Sequence, residues 1–136
     1  MKTVFKDVAL IIGKKRRILT ARKPKGEDYP HDWELPQVTA EKEEDPQKLK
    51  EYLRKTFRVR SNIKDLFKEA GYHIKRDDCE YKVVLRIYHT ELLDPVVKSD
   101  DHIDLSWVRV HNYDNIHWAL ETRLCIKDIQ MYIISY

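Results

Sequence analysis

The chain has 136 residues, 42% hydrophobic and 36% charged, with 26 Lys and Arg against 23 Asp and Glu for a net charge of +3. That length and apolar content support one modest core over residues 1–136 and leave no room for a second independent domain. The near balance of charge argues against nucleic acid as the expected partner, so a preference for anions must come from local clustering.

Val4 to Ile12 is β-branched and apolar and ends at Gly13. The basic turn Lys14-Lys15-Arg16-Arg17 follows, then a second apolar run from Ile18 to Lys23. This pattern predicts a β-hairpin whose turn charges are solvated. Pro24 to Asp32, with its Pro, Gly and Asp, reads as a loop. Asp45 as N-cap and Pro46 at the first helical position open a helix. Leu49, Tyr52, Leu53 and Phe57 give that helix one apolar face, and Lys48, Lys50, Glu51, Arg54, Lys55 and Arg58 fill the rest. Ile63 to Ile74 predicts an irregular strand, and Arg76-Asp77-Asp78 a turn. Tyr81 to Glu91 predicts a strand of period-two character that Asp94-Pro95 breaks. Leu105 to Val110 reads as a further strand and Glu121 to Ile134 as a closing helix. Strands flanking helices in mixed order predict an α/β sandwich rather than a parallel doubly wound sheet.

Cys79 and Cys125 stand alone, without metal-ligand or redox spacing, and read as buried or half-buried thiols in a reducing compartment. His31, His73, His89, His102, His111 and His117 show no zinc-ligand spacing. Trp33, Trp107 and Trp118 read as core residues, with at most one of them, together with Tyr29, lining a cleft. No apolar run approaches the roughly 18 residues of a membrane span, and no leader is visible, so a soluble cytoplasmic protein without a membrane partner is expected.

The stretch from Ile18 through Arg22-Lys23-Pro24-Lys25-Gly26 to Trp33-Glu34-Leu35-Pro36 resembles the Nudix superfamily, within it the MutT-like and CTP pyrophosphohydrolase group. It is similar to that family's strand, Arg-Pro loop and Trp-Glu-Phe-Pro entry. Leu105-Ser106-Trp107-Val108 and Ile116-His117-Trp118-Ala119 resemble the late Trp-Val strand and the segment before the last helix. The resemblance spans nearly the whole chain and implies a Nudix-type α/β/α sandwich with a mixed central sheet.

The family's box, G-x5-E-x7-R-E-U-x-E-E-x-G-U with U aliphatic, holds hard divalent cations on carboxylates against a substrate diphosphate. In this chain Gln37 and Val38 stand at the glycine positions after Pro36, in what the resemblance makes the loop that opens the box, and Glu44 falls on the first box glutamate. Without a gap, R-E-U falls on Tyr52, Leu53 and Arg54 and turns the apolar face outward. A one-residue deletion places Leu53 and Val59 at the aliphatic positions, Glu51 and Tyr52 at the arginine and first glutamate, and Lys55 and Thr56 at the two metal-binding glutamates. A lysine cannot ligate Mg²⁺ at neutral pH and repels it.

Three readings follow, the third being a nucleic-acid or protein interaction module that uses the basic helix and the Lys14 to Arg17 turn. In the first, the chain keeps the fold but is not an efficient hydrolase, needs no cofactor, and binds a nucleotide or other phosphate-bearing small molecule, or a protein partner. Arg22, Lys23 and Lys55 are the expected anion contacts, Arg22 by a bidentate guanidinium. Thr122 matches the region where the family reads the base edge. In the second, the chain is a Mg²⁺- or Mn²⁺-dependent nucleoside-triphosphate pyrophosphohydrolase with displaced carboxylates. Its catalytic candidates are Glu44, Glu51 and Asp101, and its metal candidates Glu41, Glu43 and Glu44. The bland reading of those three glutamates is a solvated loop complementing a helix N-terminus.

Overall fold

The computed structural model describes residues 2–23 and 32–136. Nine principal elements follow in order among them: β1 (Lys2–Ile11), β2 (Ile18–Arg22), β3 (Trp33–Glu34), β4 (Gln37–Ala40), α1 (Pro46–Thr56), β5 (Ser61–Arg76), β6 (Cys79–Leu92), β7 (Asp104–Val108) and α2 (Leu120–Ser135). Short 3₁₀ turns occupy 14–16 and 110–115. The loop expected over Pro24 to Asp32 lies almost wholly outside the described residues, and so do Tyr29 and His31.

A four-stranded sheet runs β4-β1-β6-β5 and a three-stranded sheet runs β3-β2-β7. β1 and β6 are parallel, whereas β1–β4 and β5–β6 are antiparallel, so the larger sheet is mixed. β1 is apolar on both faces. Ala9 and Ile11 join Leu49, Leu53, Phe57 and Val59 around α1, while Val8 and Leu10 join Cys125, Ile129 and Ile133 around α2. The sheet is thus the middle layer of an α/β/α sandwich, as expected.

The expected hairpin is corrected here. β1 and β2 belong to different sheets, and Ile12 to Ile18 is an isolated bridge between them. A strand with two apolar faces gains most where both faces are covered and both edges paired, which draws β1 between β4 and β6. A second correction concerns Gln37 and Val38. Rather than a loop, they form an antiparallel strand opposite Val8 and Asp7.

α1 forms as its sequence dictates. The Asp45 carboxylate accepts from Gln47 N–H at 3.1 Å, and Pro46 sits in the first turn where its missing N–H costs nothing. Leu49, Leu53 and Phe57 are buried and Val59 after them is buried too, which agrees with the aliphatic positions of the register with one deletion. Arg58, at the closing glycine of the box in that register, has φ 59°. β5 is irregular, with register shifts between Ile63 and Lys68, and joins β6 through Asp77 and Asp78, at φ 50° and 63°. Two consecutive left-handed residues are what a two-residue hairpin loop of type I′ requires. Cys125 is buried, and burial pushes its thiol up to about 12. Cys79, expected to be at least half-buried, is exposed at the start of β6.

Candidate functional site

A cleft of about 360 Å³ opens where the ends of β2 and β3 meet β4, α1 and the loop before β7. β1 contributes Lys6, the residue after β2 Lys23, and β3 Glu34. β4 contributes Gln37, Val38 and Thr39, α1 contributes Tyr52, and the loop before β7 contributes Asp101 and His102. Two cations thus face two carboxylates across a small polar hollow.

One wall of the site is a hydrogen-bonded chain. Asp101 N–H donates to Ser99 Oγ at 3.2 Å, and Ser99 Oγ lies 2.7 Å from His102 Nδ1. Glu34 Oε2 accepts from the other ring nitrogen, Nε2, at 2.9 Å, while Nδ1 and the Ser99 hydroxyl share the second hydrogen bond of the ring. Gln37 Nε2 donates to the other oxygen, Glu34 Oε1, at 3.3 Å. The His102 ring lies 5.6 Å from Phe57 at the end of α1, and the His102 side chain is only 2% exposed. Both oxygens of Glu34 and both nitrogens of His102 therefore have partners within the protein.

Beneath the segment leading into α1 lies a second polar group. Arg86 Nε donates to Asp7 Oδ1 at 2.7 Å, while Nη1 and Nη2 donate to the carbonyls of Lys42 and Glu41 at 2.9 and 2.7 Å. The guanidinium also stacks over Phe5, 5.2 Å from the ring centre. Burial pushes the Asp7 carboxyl above its ordinary range by more than the hydrogen bond and charge of Arg86 pull it down. Arg86 fastens the 41–42 backbone, just ahead of α1, to the sheet.

The residues singled out in the sequence are dispersed. Lys23 and Asp101 line the cleft. Arg22, at the end of β2, is half-buried and already engaged, and its carbonyl accepts from Ile103 N–H. Lys55 and Glu51 are exposed on α1. Glu43 and Glu44 are exposed in the loop before α1, and Glu41 pairs with Lys48 at 3.1 Å. Thr122 is 1% exposed, and its hydroxyl accepts from Leu35 N–H at 3.3 Å, an interaction inside the core rather than at a ligand edge.

As donors for a divalent cation these groups do not converge. Among the described residues no cluster of three or more His, Cys, Asp or Glu has the spacing to hold a metal ion. The helix residue that lines the cleft is Tyr52, whose phenol is a weak stand-in for a carboxylate. Sequence reading missed Lys6, Gln37 and Ser99 as site residues, and Asp7 and Arg86 as their support. A lone Asp and a lone Arg within apolar strands were the only signal.

The sequence matches no protein-family model and no curated protein. Solved structures match it nearly end to end. The MutT protein of Methanosarcina mazei Go1 superposes with a TM-score of 0.72 at 14% identity, over 98% of this chain and 94% of that one. The E. coli ORF135 protein gives 0.67 at 18% identity, over 93% and 92%. A C. elegans Ap4A hydrolase gives 0.65 at 13% identity, over the full length of both. The chain therefore has the fold of the Nudix and MutT hydrolases, the fold its sequence resembled.

Proposed function

We propose that this Nudix-fold chain binds a phosphate-bearing, nucleotide-like anion in the cleft and is not an efficient hydrolase. The observation that carries the reading is the face α1 turns to the cleft, which is Tyr52, with Lys55 exposed and Lys6 and Lys23 lining the hollow. Lys23 supplies a point charge for phosphate oxygens, Lys6 a second one that Glu121 holds at 3.4 Å, and Gln37 and Thr39 supply neutral hydrogen-bonding groups beside them. The Glu34–His102 pair fixes the position of that carboxylate on the third wall. Fold neighbours that bear the names MutT and Ap4A hydrolase place nucleoside triphosphates and Ap4A on the panel of ligands to try.

The second reading, a metal-dependent pyrophosphohydrolase, draws on one observation, that Glu34 and Asp101 line the same hollow. One experiment separates the two. Nucleoside triphosphates and Ap4A are titrated calorimetrically in EDTA, then incubated with protein and Mg²⁺ or Mn²⁺. Binding without metal and no turnover above background support the proposal. Turnover that Asp101→Asn abolishes would establish the hydrolase instead.

A further inference from the structure

We propose that the groove between Trp107 and Tyr136, together with the basic turn at 14–16, binds single-stranded nucleic acid. The groove holds about 330 Å³ and shares no lining residue with the cleft, so the proposal is independent of the cleft's ligand. Trp107, on β7, is 39% exposed, whereas Trp118 is buried and Trp33 half-buried. Its indole lies flush on Gly13, where a Cβ would come within 2.7 Å of the ring. His89 and Tyr136 line the same groove, with ring centres 5.6 Å apart. Aromatic rings lining a concave hollow suit a splayed base, which stacks without regard to sequence. A membrane surface would require the aromatics to project from a convex one.

The phosphate contacts come from the adjoining turn. Lys14, Lys15 and Arg16 are all exposed, and none of the three side chains is ion-paired among the described residues. The turn is held by Gly13 N–H on the Arg17 carbonyl at 2.7 Å and by the Ile12–Ile18 bridge, so three cations project from a fixed tip. The two acids in the groove are already neutralised, Glu91 by Lys64 at 3.2 Å and Asp94 by Arg60 at 2.8 Å. A net charge of +3 conceals this clustering, which is why the whole-chain balance did not point to a nucleic acid.

The test is fluorescence anisotropy of a labelled oligouridylate of about 12 nucleotides with the full chain, at salt from about 20 to 200 mM. Three phosphate contacts give a log–log salt slope of about −2. The triple substitution Lys14→Glu, Lys15→Glu, Arg16→Glu should flatten that slope. Trp107→Ala should weaken binding about 5- to 10-fold while Trp107→Tyr keeps most of it. Tyr136→Ala, on an exposed residue, serves as the second variant if Trp107→Ala fails to fold. Absence of binding at the lowest salt, indifference to the triple substitution, or tighter binding of anionic phospholipid vesicles or an acidic peptide would each overturn the proposal.

Discussion

Asp7 and Arg86 stand opposite one another on the parallel strands β1 and β6, with Nε 2.7 Å from Oδ1 and exposures of 0% and 1%. The same guanidinium holds the backbone of residues 41 and 42, so one side chain joins the centre of the sheet to the start of α1. Arg86→Ala leaves a buried carboxyl and two carbonyls without their donor. A loss of about 3–5 kcal/mol is expected in urea denaturation. Replacing both residues together, Asp7→Leu with Arg86→Met, should cost less than Arg86→Ala alone, because no charge is then stranded.

The pH dependence of Asp7 has a definite sign. Its folded-state pKa lies above the ordinary 3.8, with burial as the leading cause. Between the two values the native state keeps a proton that the unfolded state has lost, so the contribution of Asp7 to stability falls as pH rises through that window and is level above it. Asp7→Asn cannot titrate. The stability difference between wild type and Asp7→Asn, taken from urea midpoints across the acid range, should therefore move against the wild type as pH rises from 3.8. A difference that moves the other way would show Arg86 outweighing burial.

Lys6 lines the cleft from β1, and Lys23 from just beyond the end of β2. If they meet phosphate oxygens, Lys23→Ala should weaken a bound nucleoside triphosphate by about 5- to 20-fold, in line with about 1–2 kcal/mol for a charge-assisted hydrogen bond. Lys55→Ala, on the exposed side of α1, should leave affinity unchanged. Calorimetry of the two variants side by side provides the check, and a larger effect at Lys55 would place the ligand on the outer face of the helix.

Gly13→Ala forces a Cβ to 2.7 Å from Trp107 Cζ3. The ring must tilt or the turn must open, at about 1–3 kcal/mol. The thermal midpoint should fall and the tryptophan emission should shift, since Trp107 is the indole against that glycine. An unchanged emission spectrum would mean that the indole does not rest there.

Arg58 closes α1 at φ 59°, and its guanidinium reaches Asp100 at 2.9 and 3.0 Å on the surface. Arg58→Ala and Arg58→Gly both remove that exposed pair, and only the glycine relieves the left-handed backbone. The glycine variant should be more stable than the alanine variant by about 1 kcal/mol in urea denaturation. Equal stabilities would show that residue 58 relaxes out of the left-handed region when its side chain is cut back.

Much of the fold was legible because its causes are local. Asp45, Pro46 and the apolar spacing of Leu49 and Leu53 are read within one or two helical turns, and they gave α1 its start and its buried face. Asp77-Asp78 marked the β5–β6 turn for the same reason. Gln37 and Val38 misled because a four-residue strand carries little periodicity, and β4 owes its existence to pairing with β1. Thr122 illustrates the limit for the site. Its neighbour in sequence gives no sign that Leu35 N–H, 87 residues away, will claim its hydroxyl.

The sequence by itself determined the helices and the strand-turn-strand of β5 and β6, since each follows from the side-chain pattern of a short contiguous stretch, and it carried the likeness to the Nudix fold in the order and spacing of several such stretches. Only the tertiary structure decided that β1 and β2 part into different sheets, that Glu34 is engaged by His102 across 68 residues, and that Asp7 meets Arg86 across 79. Those pairings depend on strand register and on which faces are covered. Both are properties of the whole chain packing at once, and no local pattern encodes them.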